Sequence, residues 1–125
     1  MSIRTPLGRV RGLGSAKSGT DHWLFQRITA IALIPLFVWV AYLFLCVSLG
    51  TKAEVVEWLS SPTQTLLLGA LIVAGCLHAK LGCQVIIEDY VHGALPRTLL
   101  LLINIIGFTV LTGMGLMAIF TLHTL

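Results

Sequence analysis

The chain has 125 residues, of which 57% are hydrophobic and only 10% are charged, and its mean hydropathy is +0.96. Soluble domains carry about 25% charged residues, and so short a chain cannot bury this much apolar surface in its own core. The composition therefore excludes an ordinary soluble domain and predicts a single unit in a lipid bilayer. The net charge of +3 does not indicate nucleic-acid binding, because membrane orientation explains the basic residues better.

Residues 1–22 are polar and contain four basic residues and one acid, Asp21. A secretory signal would need an apolar stretch of roughly 7–15 residues that ends in a small-residue cleavage site. The apolar run that follows is longer and has no such site. We therefore predict a tail on the cytoplasmic or matrix side over residues 1–22, followed by a membrane anchor over residues 23–125.

Three apolar runs follow the tail, and each reaches the roughly 20 helical residues that cross about 30 Å of hydrocarbon. Backbone polar groups in lipid must pair within their own segment, so we expect helices rather than irregular chain. The predicted fold is an all-α membrane protein with a loop over residues 50–62. Its transmembrane helices are predicted over about 24–49, 63–90 and 96–122.

Lys and Arg residues are concentrated on one side of these helices. The tail, Arg27 and Arg97 lie on that side, whereas the opposite side has only Lys52. Because basic residues stay on the cytoplasmic or matrix side, we predict the N-terminus inside and the C-terminus outside.

His78 lies within the second run, roughly 15 Å of helix from Glu88 and therefore near mid-membrane. At about 100° per residue, Gly75 and Gly82 share its face and leave a notch beside the imidazole. A histidine at this depth must face protein, a cavity or a cofactor. It is therefore either an axial haem ligand, with the glycines packing against the flat ring, or a histidine hydrogen-bonded to another helix.

The other polar residues within the membrane invite simpler interpretations. Lys80 lies about 200° from His78, so we expect it to reach the interface or a partner subunit instead of sharing the histidine's site. The three cysteines have no metal-site spacing and are predicted to be small buried hydrophobes. The third run has three polar residues whose pattern indicates helix packing: Asn104, Thr109 and Thr112.

Glu88, Asp89 and Tyr90 end the second run at the inner interface. Acids at a helix end are usually solvated, and tyrosine is common in interfacial aromatic belts. The alternative is a quinone-head site, in which Tyr90 donates to a quinone carbonyl and Asp89 helps to deliver protons. Arg27, near the same interface, either snorkels or pairs with a carboxylate such as a haem propionate.

Two segments together resemble the succinate dehydrogenase hydrophobic membrane anchor subunit family. HAKLGCQVIIEDYV, residues 78–91, resembles the H-x-x-x-G-x-x-x-V/I-x-x-D-Y signature of that family's second helix. SGTDHWLFQRITAIAL, residues 18–33, resembles its SG-x-x-HW-x-x-QR-x-TA entry to the first helix. The resemblance covers most of residues 14–92, and the third run matches only in character.

The resemblance implies that His78 is one axial ligand of a haem b shared with the cytochrome b556 anchor subunit. It implies that Tyr90 hydrogen-bonds ubiquinone, with Asp89 beside it for proton delivery. Arg27 and, as a weaker match, His22 would lie near the haem propionates and the quinone pocket.

The same resemblance implies one part of a heteromeric helix bundle in a bacterial inner membrane. Its partners would be the cytochrome b556 anchor subunit, the iron–sulfur subunit and the flavoprotein subunit, where succinate is oxidised. This chain would contain no catalytic residue, and Lys80, His92 and His123 are assigned no role. The alternatives are a quinol–fumarate reductase anchor and a structural or assembly subunit that binds no cofactor.

Overall fold

The computed structural model describes residues 19–124, so residues 1–18 of the tail predicted over residues 1–22 lie outside the described residues. The described chain contains helices and no strand, which confirms the predicted all-α fold. Three of the helices are long and apolar enough to cross a membrane, as predicted. The helices are α1 (Gly19–Leu49), α2 (Lys52–Leu59), α3 (Pro62–Tyr90) and α4 (Ala94–His123).

The short helix α2 occupies a stretch that the sequence analysis predicted as a loop, and that prediction was wrong. Thr51 and Glu54 form a reciprocal capping box, which satisfies backbone donors at the start of the helix. The Thr51 N–H donates to Glu54 Oε2 at 2.8 Å, and the Glu54 N–H donates to Thr51 Oγ1 at 3.4 Å. This local capping chemistry favours a helix even in a short connection between two membrane-spanning segments.

The Glu54 carboxylate is part of this cap, and its pKa reflects that role. The backbone N–H of Thr51, and after it the Thr51 hydroxyl, lower the pKa of Glu54 below its ordinary value. The cap therefore contributes to stability above the ordinary pKa of the carboxyl group, and this contribution is lost as the pH falls through the lowered pKa.

Aromatic stacking holds α2 against α1, close to the start of α3. The rings of Trp39 in α1 and Trp58 in α2 stack with their centroids 6.3 Å apart. Trp39 Nε1 also donates to Gln64 Oε1 of α3 at 3.0 Å. One tryptophan thus connects three helices at this end of the molecule.

Helix α3 is central, because it packs against both α1 and α4, whereas α1 and α4 do not pack against each other in the described residues. No residue of α3 is fully buried, which leaves much of its surface open to lipid or to other helices. The buried side chains of the described chain are two apolar and two polar ones: Leu33, Ile119, Thr29 and Asn104. Each buried polar residue contacts α3 from a neighbouring helix.

The contact between α3 and α4 uses one polar residue and close glycine packing. Asn104 Nδ2 donates to the backbone carbonyl of Lys80 at 3.0 Å. A Cβ at Gly115 would lie 3.0 Å from two side-chain carbons of Ile72, so a larger residue there would require Ile72 or the helices to shift. The predicted packing role of Asn104 is confirmed.

We predict that Gly115→Leu destabilises the protein, because its side chain would overlap Ile72 and force α4 away from α3. Overpacking of this kind typically costs about 1–3 kcal/mol. Gly113→Leu is the matched control, because a Cβ at Gly113 meets no atom within 4 Å. Thermal unfolding of the purified protein in detergent measures the effect, and equal stability of the two variants would contradict this packing.

Candidate functional site

His78 contacts α1 through Thr29. The two side chains meet at 3.0 Å between His78 Nδ1 and Thr29 Oγ1, which is hydrogen-bond distance. Thr29 is buried and His78 is half-buried. This is the contact expected of a histidine bonded to another helix, but it uses only one ring nitrogen. The other nitrogen, Nε2, is the one that can bind a ligand.

One helical turn further along this interface, Gln26 of α1 meets Gly82 of α3. The Gln26 Nε2 atom lies 3.6 Å from the position that a Cβ at Gly82 would take. Gln26 precedes Thr29 by one turn and Gly82 follows His78 by one turn, as antiparallel helices require. Gly82 therefore shares the face of His78, and the side chain of Gln26 lies in the space that this glycine leaves.

Gly75 lies one turn from His78 in the other direction along α3. A Cβ built there would meet no atom within 4 Å, so the surface beside the imidazole is open at this glycine. The notch predicted from the helical wheel is thus filled at one end by Gln26 and open at the other. An open strip beside a histidine leaves room for a flat group or for a closely packed helix from another subunit.

Lys80 is on the opposite side of α3 from this contact. It is half-buried and lines a small cavity of about 70 Å³ together with Phe108, Thr109 and Thr112 of α4. His78, in contrast, contacts α1. The predicted separation of the lysine from the histidine is confirmed.

The C-terminal end of α3 presents two exposed polar side chains, Asp89 and Tyr90. Tyr90 is 78% exposed and is the last residue of the helix. The neighbouring acid, Glu88, instead accepts a hydrogen bond from Gln84 Nε2 at 2.9 Å within the same helix. Asp89 and Tyr90 are therefore the two side chains of this end that are open to a partner, a substrate or water.

Arg27 is not part of the contact around His78. Its guanidinium carbon lies 5.5 Å from the centroid of the Trp23 ring, and both side chains are exposed. Two residues correspond to about 200° of rotation along a helix, so Arg27 and Thr29 are on opposite sides of α1. The arginine is accessible to a group outside this chain.

Two buried polar atoms on α1 have no hydrogen-bond partner in the described part of the chain: His22 Nε2 and Gln26 Oε1. An unsatisfied buried polar atom costs about 1–3 kcal/mol, so a partner for each is expected. Gln26 and Thr29 were missed as site residues by the sequence analysis, although both lie in the QRITA motif. The available signal was two polar residues one turn apart at the start of an apolar run.

The family model described as succinate dehydrogenase/fumarate reductase transmembrane subunit matches residues 1–113. The chain belongs to this family. The resemblance predicted from two short motifs is therefore confirmed, and with three helices able to span a bilayer the family member is a multi-pass membrane protein.

Relatives in this family are named succinate dehydrogenase hydrophobic membrane anchor subunit. The one from Rickettsia bellii is 36% identical over 112 residues, which cover 88% of this chain and 87% of the relative. The one from Rickettsia conorii is 35% identical over 105 residues, or 82% and 83% of the two chains. The one from Paracoccus denitrificans is 28% identical over 114 residues, or 89% and 86%.

We predict that Gly82→Leu weakens the packing of α1 on α3, because its side chain would displace the amide of Gln26. The expected loss is about 1–3 kcal/mol of stability. Gly82→Ala is the control, since its Cβ would meet Gln26 Nε2 at 3.6 Å, an ordinary contact distance. The midpoint of thermal unfolding should fall for leucine and stay near that of the native protein for alanine; a fall of equal size in both variants would argue against this contact.

Proposed function

We propose that this chain is the hydrophobic membrane anchor subunit of succinate dehydrogenase in a bacterial inner membrane, with its N-terminus inside. The family match and the names of its relatives support this function. The subunit would hold the iron–sulfur and flavoprotein subunits at the membrane together with a second anchor, the cytochrome b556 subunit. The open surface of α3 gives that second anchor room to pack.

His78 is proposed as an axial ligand of a haem b shared with the second anchor subunit. The observation that carries this assignment is the engagement of Nδ1 by Thr29, which leaves Nε2 for iron. Metal-binding histidines commonly have their other ring nitrogen held in this way. Within residues 19–124 no group of three or more His, Cys, Asp or Glu side chains could hold a metal ion. His78 would therefore act as a single ligand, with a second one from the partner anchor.

The surroundings of His78 fit a flat macrocycle. Gly75 leaves open space beside the imidazole, and Gly82 keeps the next turn of α3 narrow. A bound haem b would store one electron beside the site of quinone reduction. The protein's own part is to present Nε2 from a half-buried helix face and to leave space at the neighbouring turns.

Tyr90 and Asp89 are proposed to form one wall of a ubiquinone site. The exposed Tyr90 phenol can donate a hydrogen bond to a quinone carbonyl, and Asp89 can pass protons from the inner aqueous side. The rise of about 1.5 Å per residue puts Tyr90 roughly 18 Å along α3 from His78, toward the predicted inner surface. Quinone reduction consumes protons, so a site at the edge of the membrane suits it.

Arg27 and His22 are proposed to line the same inner region from α1. The exposed Arg27 guanidinium can pair with a haem propionate, for which its forked donors are suited. His22 Nε2 is buried and has no partner among the described residues, so it is available to a group bound against α1. Both side chains would act by binding and positioning, and neither would do chemistry on succinate.

We predict that the purified complex shows a b-type band in its dithionite-reduced minus oxidised spectrum, and that His78→Leu removes or shifts it. The reason is that leucine supplies no nitrogen to iron. His92→Leu is a matched control, because His92 is exposed and lies beyond the end of α3. A native complex without the band, or an unchanged band in His78→Leu, would exclude His78 as a haem ligand and favour a subunit without a cofactor.

We predict that Tyr90→Phe lowers quinone reduction by about tenfold, because one hydrogen bond to the quinone is lost. Succinate oxidation measured with a soluble dye should remain near the native rate, since electrons leave for the dye before they reach this site. An equal loss of both activities would instead indicate failed assembly and would count against the assigned role of Tyr90.

The family description also includes fumarate reductase, which makes the anchor of a quinol–fumarate reductase the second candidate. The two functions differ in the direction of electron flow. Rates of quinone reduction by succinate and of fumarate reduction by quinol, measured on the same preparation, separate them.

A further inference from the structure

We infer that Thr29 is a positioning residue that fixes the tautomer of His78, holding the proton on Nδ1 so that Nε2 keeps its lone pair for iron. The inference rests on the proposed binding of haem by His78. It concerns a residue that contacts the imidazole and does not touch the iron.

The proton position follows from the neighbours of the Thr29 hydroxyl. Its oxygen lies 2.9 Å from the Phe25 carbonyl oxygen and 3.1 Å from the Gln26 carbonyl oxygen. Carbonyl oxygens can only accept, and the hydroxyl has a single hydrogen to donate. If that hydrogen were given to His78, the lone pairs of the hydroxyl would lie against two carbonyl oxygens.

The hydroxyl of Thr29 therefore donates to the backbone of its own helix, as threonines in helices commonly do. Its lone pair then accepts the N–H of His78 Nδ1 across the 3.0 Å contact. The opposite tautomer would place the lone pair of Nδ1 against a lone pair of the hydroxyl. Thr29 is only 8% exposed, so solvent cannot easily replace the lost hydrogen bond.

This arrangement has two consequences for a metal on Nε2. The hydrogen bond to Thr29 of α1 holds the imidazole ring in one orientation. Because the ring donates its Nδ1 proton to Thr29, its Nε2 is a more basic ligand. A more basic ligand stabilises the oxidised, more positively charged iron. Loss of the Thr29 acceptor should therefore weaken haem binding and raise the midpoint potential of the haem.

The test is a set of variants in the intact complex: Thr29→Val, Thr29→Ser and Thr109→Val. Valine keeps the shape of threonine and removes the acceptor, whereas serine keeps the hydroxyl. Thr109→Val is the matched control, because the Thr109 hydroxyl also donates to its own helix, to Ile105 O at 2.7 Å, but is exposed. Haem content per complex and the haem midpoint potential are the readouts.

We expect Thr29→Val to weaken haem binding by about 10- to 100-fold, the usual effect of losing such a partner, and to raise the midpoint potential. The Thr29→Ser and Thr109→Val variants should match the native complex in haem content and in midpoint potential. A native haem content and potential in Thr29→Val would overturn the inference while leaving haem binding by His78 intact. A native complex without haem would overturn the proposed function, and the inference with it.

Should Thr29→Val yield too little complex to measure, Thr29→Cys replaces it. Its sulfur is a much weaker acceptor than oxygen, so the cysteine variant should have a higher midpoint potential than the serine variant. Equal potentials in these two variants would overturn the inference.

Discussion

The contact between Thr29 and His78 joins α1 to the central helix, and both helices are long and apolar enough to cross a membrane. An imidazole there needs a polar partner, and the buried hydroxyl provides one while its own hydrogen goes to the backbone of α1. On the other side of α3, Asn104 of α4 makes a second polar contact, in which its Nδ2 donates to the Lys80 carbonyl. The central helix thus makes one hydrogen bond with a buried polar residue of each neighbour, and these contacts set which neighbour the faces of His78 and Lys80 meet.

These contacts leave much of the surface of α3 open. No residue of α3 is fully buried, and many large apolar side chains on α1 and α4 are exposed. In lipid this surface carries no penalty, and it also leaves space for another subunit. If His78 binds haem as proposed, its Nε2 would supply one ligand and a second anchor subunit would supply the other.

Much of this architecture could be predicted from the sequence, because hydrophobic run length determines which helices cross the membrane and the 100° rotation separates His78 from Lys80. The short helix α2 was missed, because its capping box is a local signal within a connection that the hydropathy pattern describes only as polar. Thr29 and Gln26 were overlooked as site residues for a different reason. Their roles depend on the register between α1 and α3, which pairs Thr29 with His78 and Gln26 with Gly82, and a single sequence does not give that register.

A cryo-EM structure of the intact complex from membranes would show the partners of both ring nitrogens of His78 at once. We expect haem iron at bonding distance from His78 Nε2, with Thr29 Oγ1 still within hydrogen-bond distance of Nδ1. A His78 whose Nε2 is hydrogen-bonded to a protein group with no haem beside it, or whose Nδ1 binds the iron, would contradict the proposed roles of His78 and Thr29.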